Sequence, residues 1–128
     1  MSTTQEANKT IVTEFYELAF NQHKPVEAAS KYIDLPYTQH NPDVPDGPEG
    51  FNQFARDFLK KNPKLKATIF NTIADGDLVV LHVNIKMNES DRGIAVAEFF
   101  RLKNTQIVEH WDVTQPVPET TASGNPMF

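Results

Sequence analysis

Apolar residues recur every three or four positions in the first half of the chain, which is the spacing of one helix face. The first such segment predicts an amphipathic helix over residues 4–21. Pro25, which suits a first helical turn, predicts a second and shorter helix that reaches about Tyr32. A third apolar stripe, over residues 51–59, predicts a helix that ends before Asn62-Pro63. The first half of the chain is therefore predicted to be helical.

After Pro63 the apolar residues instead alternate with polar ones, which is typical of strands. Four strands are predicted, over residues 66–74, 78–87, 94–103 and 106–114. Asp75-Gly76-Asp77 is a typical hairpin turn, and a short extended piece, Tyr37–His40, precedes a breaker-rich loop over residues 41–48. Helices followed by a meander of strands predict an α+β fold, with the helices on one face of the sheet.

Composition narrows the functional classes. The 128 residues suit a single domain, 1–128, with an extended tail at 116–128, and nine phenylalanines argue against disorder. A net charge of −5 disfavours nucleic acid or an anionic membrane as partner. The absence of cysteine excludes disulfides and thiolate chemistry. No apolar segment has the length of a membrane span or a secretion signal, so a cytoplasmic protein is expected.

The run Val108-Glu109-His110-Trp111-Asp112-Val113 carries the clearest chemical signal. Successive strand residues point to opposite faces, so His110 and Asp112 share one face and Trp111 lies on the other. A carboxylate between a valine and a tryptophan is costly in a strand interior unless it has a use. The pair is therefore a candidate for acid–base chemistry.

One register of the strands would bring several polar side chains together inside an apolar wall. That wall and its polar groups would be His82, Glu98, His110, Asp112, Val80, Val96, Phe100 and Val108. Such a mixture is typical of a ligand pocket, and His40 could close it. Other interpretations stay open. A strand histidine is often structural, Glu98 could pair with Arg101 or Lys86, and Trp111 could belong to the core or an interface.

The ordered motifs resemble those of one family. Gln39-His40-Asn41-Pro42, Pro45-Asp46-Gly47, Asp91-Arg92-Gly93, Phe100-Arg101-Leu102 and Glu109-His110-Trp111-Asp112-Val113 are similar to the SnoaL-like polyketide cyclases, in particular to the branch of predicted aldol-condensation-catalysing enzymes. The likeness covers nearly the whole chain. It implies the cone-shaped fold shared with nuclear transport factor two and ketosteroid isomerase: a curved, mixed or antiparallel sheet wrapped around three N-terminal helices and enclosing a pocket.

The resemblance also implies chemistry without metal or organic cofactor on an apolar carbonyl compound. An aspartate removes a proton next to a carbonyl, and the enolate closes a ring by intramolecular aldol condensation. Asp112 would be the base, tuned by His110, with His82 and His40 as oxyanion donors and Glu98 as a second acid. Substrate binding would fall to Val80, Val96, Phe100, Asn84, Trp111, Phe54 and Phe58.

Two rival functions remain at this point. One is a non-catalytic module that binds an apolar small molecule and dimerises through the outer sheet face. The other is a cupin-type metal enzyme, because Gly76, His82, Asn84 and Glu89 partly match its ligand spacing. A homodimer is expected with either the catalytic or the binding function, since Trp111 and an apolar set on the second strand need cover. That set is Val79, Leu81, Val83 and Ile85.

Overall fold

A computed structural model describes residues 3–128, and its first half is helical. Helix α1 runs over Thr3–Tyr16 and continues as a π-helical turn over Glu17–Asn21, where the predicted helix was uninterrupted. Helix α2 spans Pro25–Tyr32 and α3 spans Gly47–Lys61. The wider π turn is a feature often found near functional sites. Here it carries Phe20, whose ring lies 4.8 Å from that of Tyr16.

Five strands form one mixed sheet. They are β1 (Ile33–Gln39), β2 (Lys66–Asp75), β3 (Leu78–Lys86), β4 (Ile94–Lys103) and β5 (Gln106–Pro116). Their order across the sheet is β1-β5-β4-β3-β2. Consecutive strands β2 to β5 are antiparallel, as predicted, whereas β1 lies parallel to β5. The short extended piece in the sequence thus belongs to a fifth strand at the sheet edge.

The helices cover one face of this sheet, which we call the inner face. Val79, Leu81 and Val83 lie on it with no exposed surface, and Ile85 is buried beside them. Phe15 of α1 packs against Phe100 of β4, with ring centroids 5.9 Å apart. The expectation that a second subunit covers the Val79 to Ile85 set is therefore wrong, because the chain's own core buries it.

The strand register differs by one residue from the predicted one. Glu98 pairs with Leu81, whereas His82 pairs with Ala97. A one-residue slip exchanges the two faces of a strand. His82 and Val80 therefore lie on the outer face, opposite to Glu98, and the prediction that they share its pocket is wrong.

Strand β5 contains a bulge that explains a second error. Leu102 pairs with Ile107 and Arg101 with Glu109, which leaves Val108 as the extra residue. Ile107 is completely buried on the inner face, and Val108 is only partly buried and lines a surface groove. The alternation resumes after the bulge, so His110 and Asp112 face inward without Val108.

Residues 117–128 return across the outer face. The backbone N–H of Val117 donates to the carbonyl of Gly93, and the ring of Phe128 stacks on Phe70 with centroids 4.8 Å apart. Phe128 also stacks on His82, at 5.2 Å. Among the helices described over residues 3–128, none has the length and apolarity needed to span a membrane.

Candidate active site

A cavity of about 120 Å³ lies between the inner sheet face and the helices. Its wall is mostly aromatic and aliphatic, formed by Phe15, Phe20, Phe51, Phe54, Phe58, Val44, Ile85, Ile94, Val96 and Phe100. Its polar side chains are Tyr16, Tyr37, Gln39, Asn41, Glu98, His110, Asp112 and Thr114. An apolar enclosure with few polar groups is the usual form of a small-molecule site. A similar volume, about 150 Å³, holds benzene in a protein core, so this cavity has the size of one ring.

Three ionisable groups converge in that cavity from two neighbouring strands. Glu98 on β4 pairs with Asp112 on β5, and His110, which pairs with Phe100, is the next inward-facing residue of β5. His110 Nε2 is 2.7 Å from Glu98 Oε1 and 3.9 Å from Asp112 Oδ2. The side chains of Glu98, His110 and Asp112 are only 7%, 10% and 11% exposed. The group is thus compact and largely removed from water.

Neighbouring side chains fix each member of the group. The buried hydroxyl of Tyr16 donates to Glu98 Oε2 at 2.6 Å. Asn41 Nδ2 donates to both oxygens of Asp112, at 2.9 and 3.0 Å. Gln39 Oε1 lies 2.7 Å from His110 Nδ1. Each of the three ionisable groups therefore has its own polar support, which holds its geometry.

Loop 40–46, between β1 and α3, brings Asn41 to the cavity. Asp46 Oδ1 accepts a hydrogen bond from the backbone N–H of Gln39 at 2.7 Å, which closes the loop. A Cβ atom at Gly50 of α3 would collide with the carbonyl of Pro45. Glycine at this position therefore lets the loop pack against the helix and place Asn41 beside Asp112.

Burial and mutual charge change the protonation of the group. Burial, reinforced by the charge of Glu98, raises the pKa of Asp112, although the hydrogen bond from Asn41 and the charge of His110 oppose the change. Burial alone would lower the pKa of His110, but the hydrogen bond and charge of Glu98, with the charge of Asp112, outweigh it and raise that pKa. Burial and Glu98 also raise the pKa of Tyr16, which therefore remains a proton donor.

Glu98, His110 and Asp112 also offer three ligand atoms within 4.8 Å of one another, the only such trio found in residues 3–128. These atoms already bind each other, Tyr16 and Asn41, and the surrounding wall is apolar. Acid–base chemistry uses these hydrogen bonds, whereas metal binding would have to break them. In this arrangement the Asp112 carboxylate can accept a proton from a bound compound, and the Glu98–His110 pair can donate one.

The structure places only part of the predicted set at the cavity. Asp112, His110, Glu98, Val96, Phe100, Phe54 and Phe58 line it. His40, Trp111, His82, Val80 and Asn84 do not. The ring of His40 stacks on Trp111 on the outer face, with centroids 4.8 Å apart. His82 lies 3.1 Å from the amide of Asn71, and Asn84 borders a separate groove beneath the tail. Placing His40, His82, Val80 and Asn84 in the pocket was wrong, because all point away from the inner face. Trp111 lies on the outer face, as strand alternation predicted, so its assignment to substrate binding was wrong.

Five polar residues at the cavity were not predicted, namely Tyr16, Tyr37, Gln39, Asn41 and Thr114. Tyr37 and Gln39 alternate with His40 along β1, so placing His40 in the pocket assigned the wrong parity to this strand. Asn41 lies in the Gln39-His40-Asn41-Pro42 motif, and its role depends on the loop conformation. Tyr16 lies on the apolar stripe of α1, where a hydroxyl needs a partner once it is buried. Strand alternation could have identified Tyr37 and Gln39, and the need of a buried hydroxyl for a partner could have identified Tyr16.

Comparison with known proteins agrees with this geometry. The family model described as SnoaL-like polyketide cyclase matches residues 10–119. The chain belongs to the SnoaL-like polyketide cyclase family. A comparison with curated proteins gave no match.

Solved structures share the fold at low sequence identity. A candidate polyketide cyclase from Acidithiobacillus ferrooxidans is 22% identical with a TM-score of 0.73, covering 90% of this chain and 92% of its own. TsrD from Streptomyces laurentii is 16% identical with a TM-score of 0.70, at 90% and 91% coverage. A nuclear transport factor two-like protein of unknown function from Cytophaga hutchinsonii is 20% identical with a TM-score of 0.69, at 85% and 90% coverage. The cone-shaped α+β fold is confirmed, and it differs from the all-strand cupin core.

Proposed function

We propose that this protein is an acid–base enzyme that transforms an apolar carbonyl compound, by intramolecular aldol cyclisation or a related proton transfer. The observation that carries the proposal is the Asp112 carboxylate, held by Asn41 in an aromatic cavity, next to a buried carboxylate–imidazole pair. Family membership supports a cyclase or isomerase type of reaction. Fold alone would not, since this architecture serves many functions.

The first step would transfer a proton from carbon to Asp112. The raised pKa of this carboxyl makes its carboxylate a stronger base than that of an exposed aspartate. The α C–H bond of the ketone breaks, its electron pair forms the enolate, and the proton bonds to a carboxylate oxygen. An apolar wall favours this step because it excludes water from the carboxylate.

The second requirement is a donor for the developing enolate oxygen. His110 Nε2 and Glu98 Oε1 lie 2.7 Å apart, so a hydrogen must lie between them, because two facing lone pairs would repel. That hydrogen is a transferable proton beside Asp112, because His110 Nε2 lies 3.9 Å from Asp112 Oδ2. It would stabilise the enolate oxygen by hydrogen bonding or transfer. The enolate carbon then attacks a second carbonyl, or is reprotonated by Asp112 at another carbon.

The cavity size limits the reacting part of the substrate. About 120 Å³ accommodates one ring, so only the carbonyl-bearing end of a larger compound would reach Asp112. The less buried wall residues lie on α3 and the loop before it (Val44, Phe54, Phe58) and on β4 and β5 (Ile94, Thr114). We place the entrance there.

Hydrogen–deuterium exchange tests the proposal without knowledge of the natural substrate. Single-ring aryl and cyclic ketones are incubated with the protein in D₂O, and α-deuteration is followed by NMR. Wild type should catalyse exchange, and Asp112→Asn should reduce its rate by roughly 10²- to 10⁴-fold, the range for general acid–base catalysis. Glu109→Gln, on the same strand but the opposite face, is the matched control and should leave the rate unchanged.

Two results would contradict the enzymatic proposal. Exchange at an unaltered rate in Asp112→Asn would remove this residue from the mechanism. Saturable binding of the ketones without any exchange would favour a non-catalytic binding module, for which the aromatic cavity is also suited.

We further propose that two copies associate through the outer sheet face. Phe70, Ile73 and Val113 are 48%, 60% and 68% exposed there. Phe70 and Ile73 lie on β2 and Val113 on β5, and exposed apolar side chains on one sheet face form a surface that the same face of a second copy could cover. Sedimentation at micromolar concentration should show a dimer that Val113→Asp weakens. A monomeric wild type would contradict this proposal.

A further inference from the structure

Gln39 has an unusual number of donors directed at one atom. Its Oε1 accepts the backbone N–H of Asn41 at 3.0 Å and lies 3.1 Å from that of His40, which it shares with the carbonyl of His110. Two backbone N–H groups converge only on an acceptor, so this amide atom is the oxygen and not the nitrogen. At the opposite end of the amide, Nε2 donates to the hydroxyl of Tyr37 at 3.3 Å, and a hydroxyl can accept this bond. The orientation of the Gln39 amide is therefore determined by its neighbours.

This orientation decides which nitrogen of His110 carries a hydrogen. His110 Nδ1 lies 2.7 Å from the same Gln39 oxygen. An amide oxygen can only accept, so Nδ1 must donate and must be protonated. The second nitrogen, Nε2, is the one directed at Glu98 and Asp112.

We propose that Gln39 is a positioning residue that locks His110 with its hydrogen on Nδ1, so that Nε2 is the nitrogen through which the cavity gains and loses its proton. Gln39 acts through the imidazole and needs no contact with substrate. The consequence for catalysis rests on the proposed function, whereas the lock itself does not.

Counting hydrogens shows what the lock contributes. Without it, a neutral ring could carry its single hydrogen on Nε2, facing a Glu98 carboxylate, and the pair would have a net charge of −1. With Nδ1 protonated and one further hydrogen between Nε2 and Glu98, the pair is neutral and holds one more proton. Asp112 is then the only net negative charge among the three groups. Two ionised carboxylates as close as Glu98 and Asp112 would repel each other, so the extra proton also relieves this contact.

Other titratable side chains near the ring do not replace this function. Tyr16 of α1 donates to the far oxygen of Glu98, and the hydroxyl of Tyr37 on β1 is already bonded to Gln39. Within residues 3–128, no lysine or arginine lines the cavity. Glu98 on β4 and Asp112 on β5 are therefore the charges that face the imidazole, and Gln39 approaches it from the other side.

The protonated nitrogen of His110 can be observed by long-range ¹H–¹⁵N NMR of protein labelled at histidine, without any substrate. In wild type we expect Nδ1 to remain in the protonated range at neutral pH and after the ring loses its other proton at alkaline pH. Gln39→Leu, which has a similar size but no acceptor, should move the Nδ1 signal to the unprotonated range and leave the hydrogen on Nε2. Gln39→Glu retains an acceptor oxygen and should restore the wild-type pattern.

Thr38→Val is the matched control, because Thr38 is the exposed neighbour of Gln39 on the same strand, and it should leave the His110 signals unchanged. An unprotonated Nδ1 in neutral wild-type His110 would overturn the lock even if Gln39→Leu does not fold. Persistence of the Nδ1 hydrogen in folded Gln39→Leu would overturn it as well. A Gln39-dependent tautomer in a protein that catalyses no ketone exchange would support the lock and contradict only the proposed enzymatic function.

Discussion

Each face of the sheet carries a histidine–carboxylate pair at the same distance. His110 and Glu98 on the inner face are 2.7 Å apart, and so are His40 and Glu109 on the outer face. The side chains are 10% and 7% exposed in the inner pair but 40% and 25% exposed in the outer pair. The two pairs are chemically equal and differ in their contact with water. Location relative to the helices, rather than residue type, therefore separates candidate catalysts from surface groups.

The two pairs also differ in the charged groups that surround them. On the outer face, Arg101 binds Glu109 and also both oxygens of Asp77, and its guanidinium lies 5.6 Å from the Trp111 ring centroid. The charges there are hydrated and balanced by a cation. On the inner face the counter-charge for two carboxylates must come from the protons that His110 and Glu98 share. Chemistry is expected where the balance depends on protons.

The largest difference between the faces is expected from loss of apolar volume. Leu81 is fully buried on the inner face, so Leu81→Ala should lower the free energy of unfolding by about 2–5 kcal/mol. Val113 is 68% exposed on the outer face, and Val113→Ala should change it by less than about 0.5 kcal/mol. Urea unfolding at low protein concentration, where the monomer is measured, compares the two. Equal losses would contradict the assignment of the faces.

The polar pairs should show the next largest difference. Glu98→Leu leaves the Tyr16 hydroxyl and His110 Nε2 without partners, and each unsatisfied buried group costs about 1–3 kcal/mol. Glu109→Leu removes two partly exposed ion pairs, which contribute less than about 1 kcal/mol each. Chemical denaturation of both variants measures the contrast. A Glu98→Leu variant as stable as wild type would mean that the inner pair is not held as described.

The smallest effect, and the one whose direction is most informative, is the pH dependence of stability. Because the fold raises the pKa of His110, the protonated ring stabilises the fold below the ordinary value of about 6.5, and this contribution is lost as pH rises through the folded value. The stability difference between wild type and His110→Asn should therefore shrink with rising pH above about 6.5. A difference that grows over this range would contradict the sign, and His40→Asn provides the matched exposed substitution.

Asp112 changes the pH dependence of stability in the same direction as His110, but over a different pH range. A raised pKa favours its protonated form in the fold, so the contribution is complete below the ordinary value of about 3.9 and is lost as pH rises through the raised value. The Asp112 carboxyl is thus less stabilising above its raised pKa than in acid. Carboxyl groups with raised pKa values are common in active sites, and their ionisation lowers the stability of the fold.

Local patterns predicted most of the fold because their signals lie within single elements. Pro25, the Asp75-Gly76-Asp77 turn and the apolar stripe at 51–59 all mark elements that the structure contains. The parallel pairing of β1 with β5 joins segments that lie about seventy residues apart, and no local signal specifies it. The π turn was missed for a similar reason, since helical spacing continues across it.

The candidate site was predicted only in part because parity does not fix the register between strands. Alternation correctly kept His110 with Asp112, which lie on one strand beyond the bulge. Alternation could not decide whether His82 or Leu81 opposes Glu98. That pairing depends on the length of the turn between the strands and on any bulge, and neither can be read from alternation. The contacts of Tyr16, Gln39 and Asn41 come from α1, β1 and a loop, so they follow only from the assembled fold.

The central claim is that the Asp112 carboxylate faces an apolar cavity, where its surroundings make it a base. A ¹³C NMR titration of the aspartate carboxyl groups, with Asp112→Asn used to assign the signal, tests this directly. The Asp112 carboxyl is predicted to titrate above the ordinary aspartate value of about 3.9, together with a change in the His110 signals. A carboxyl that titrates at or below that value, independently of His110, would contradict the account.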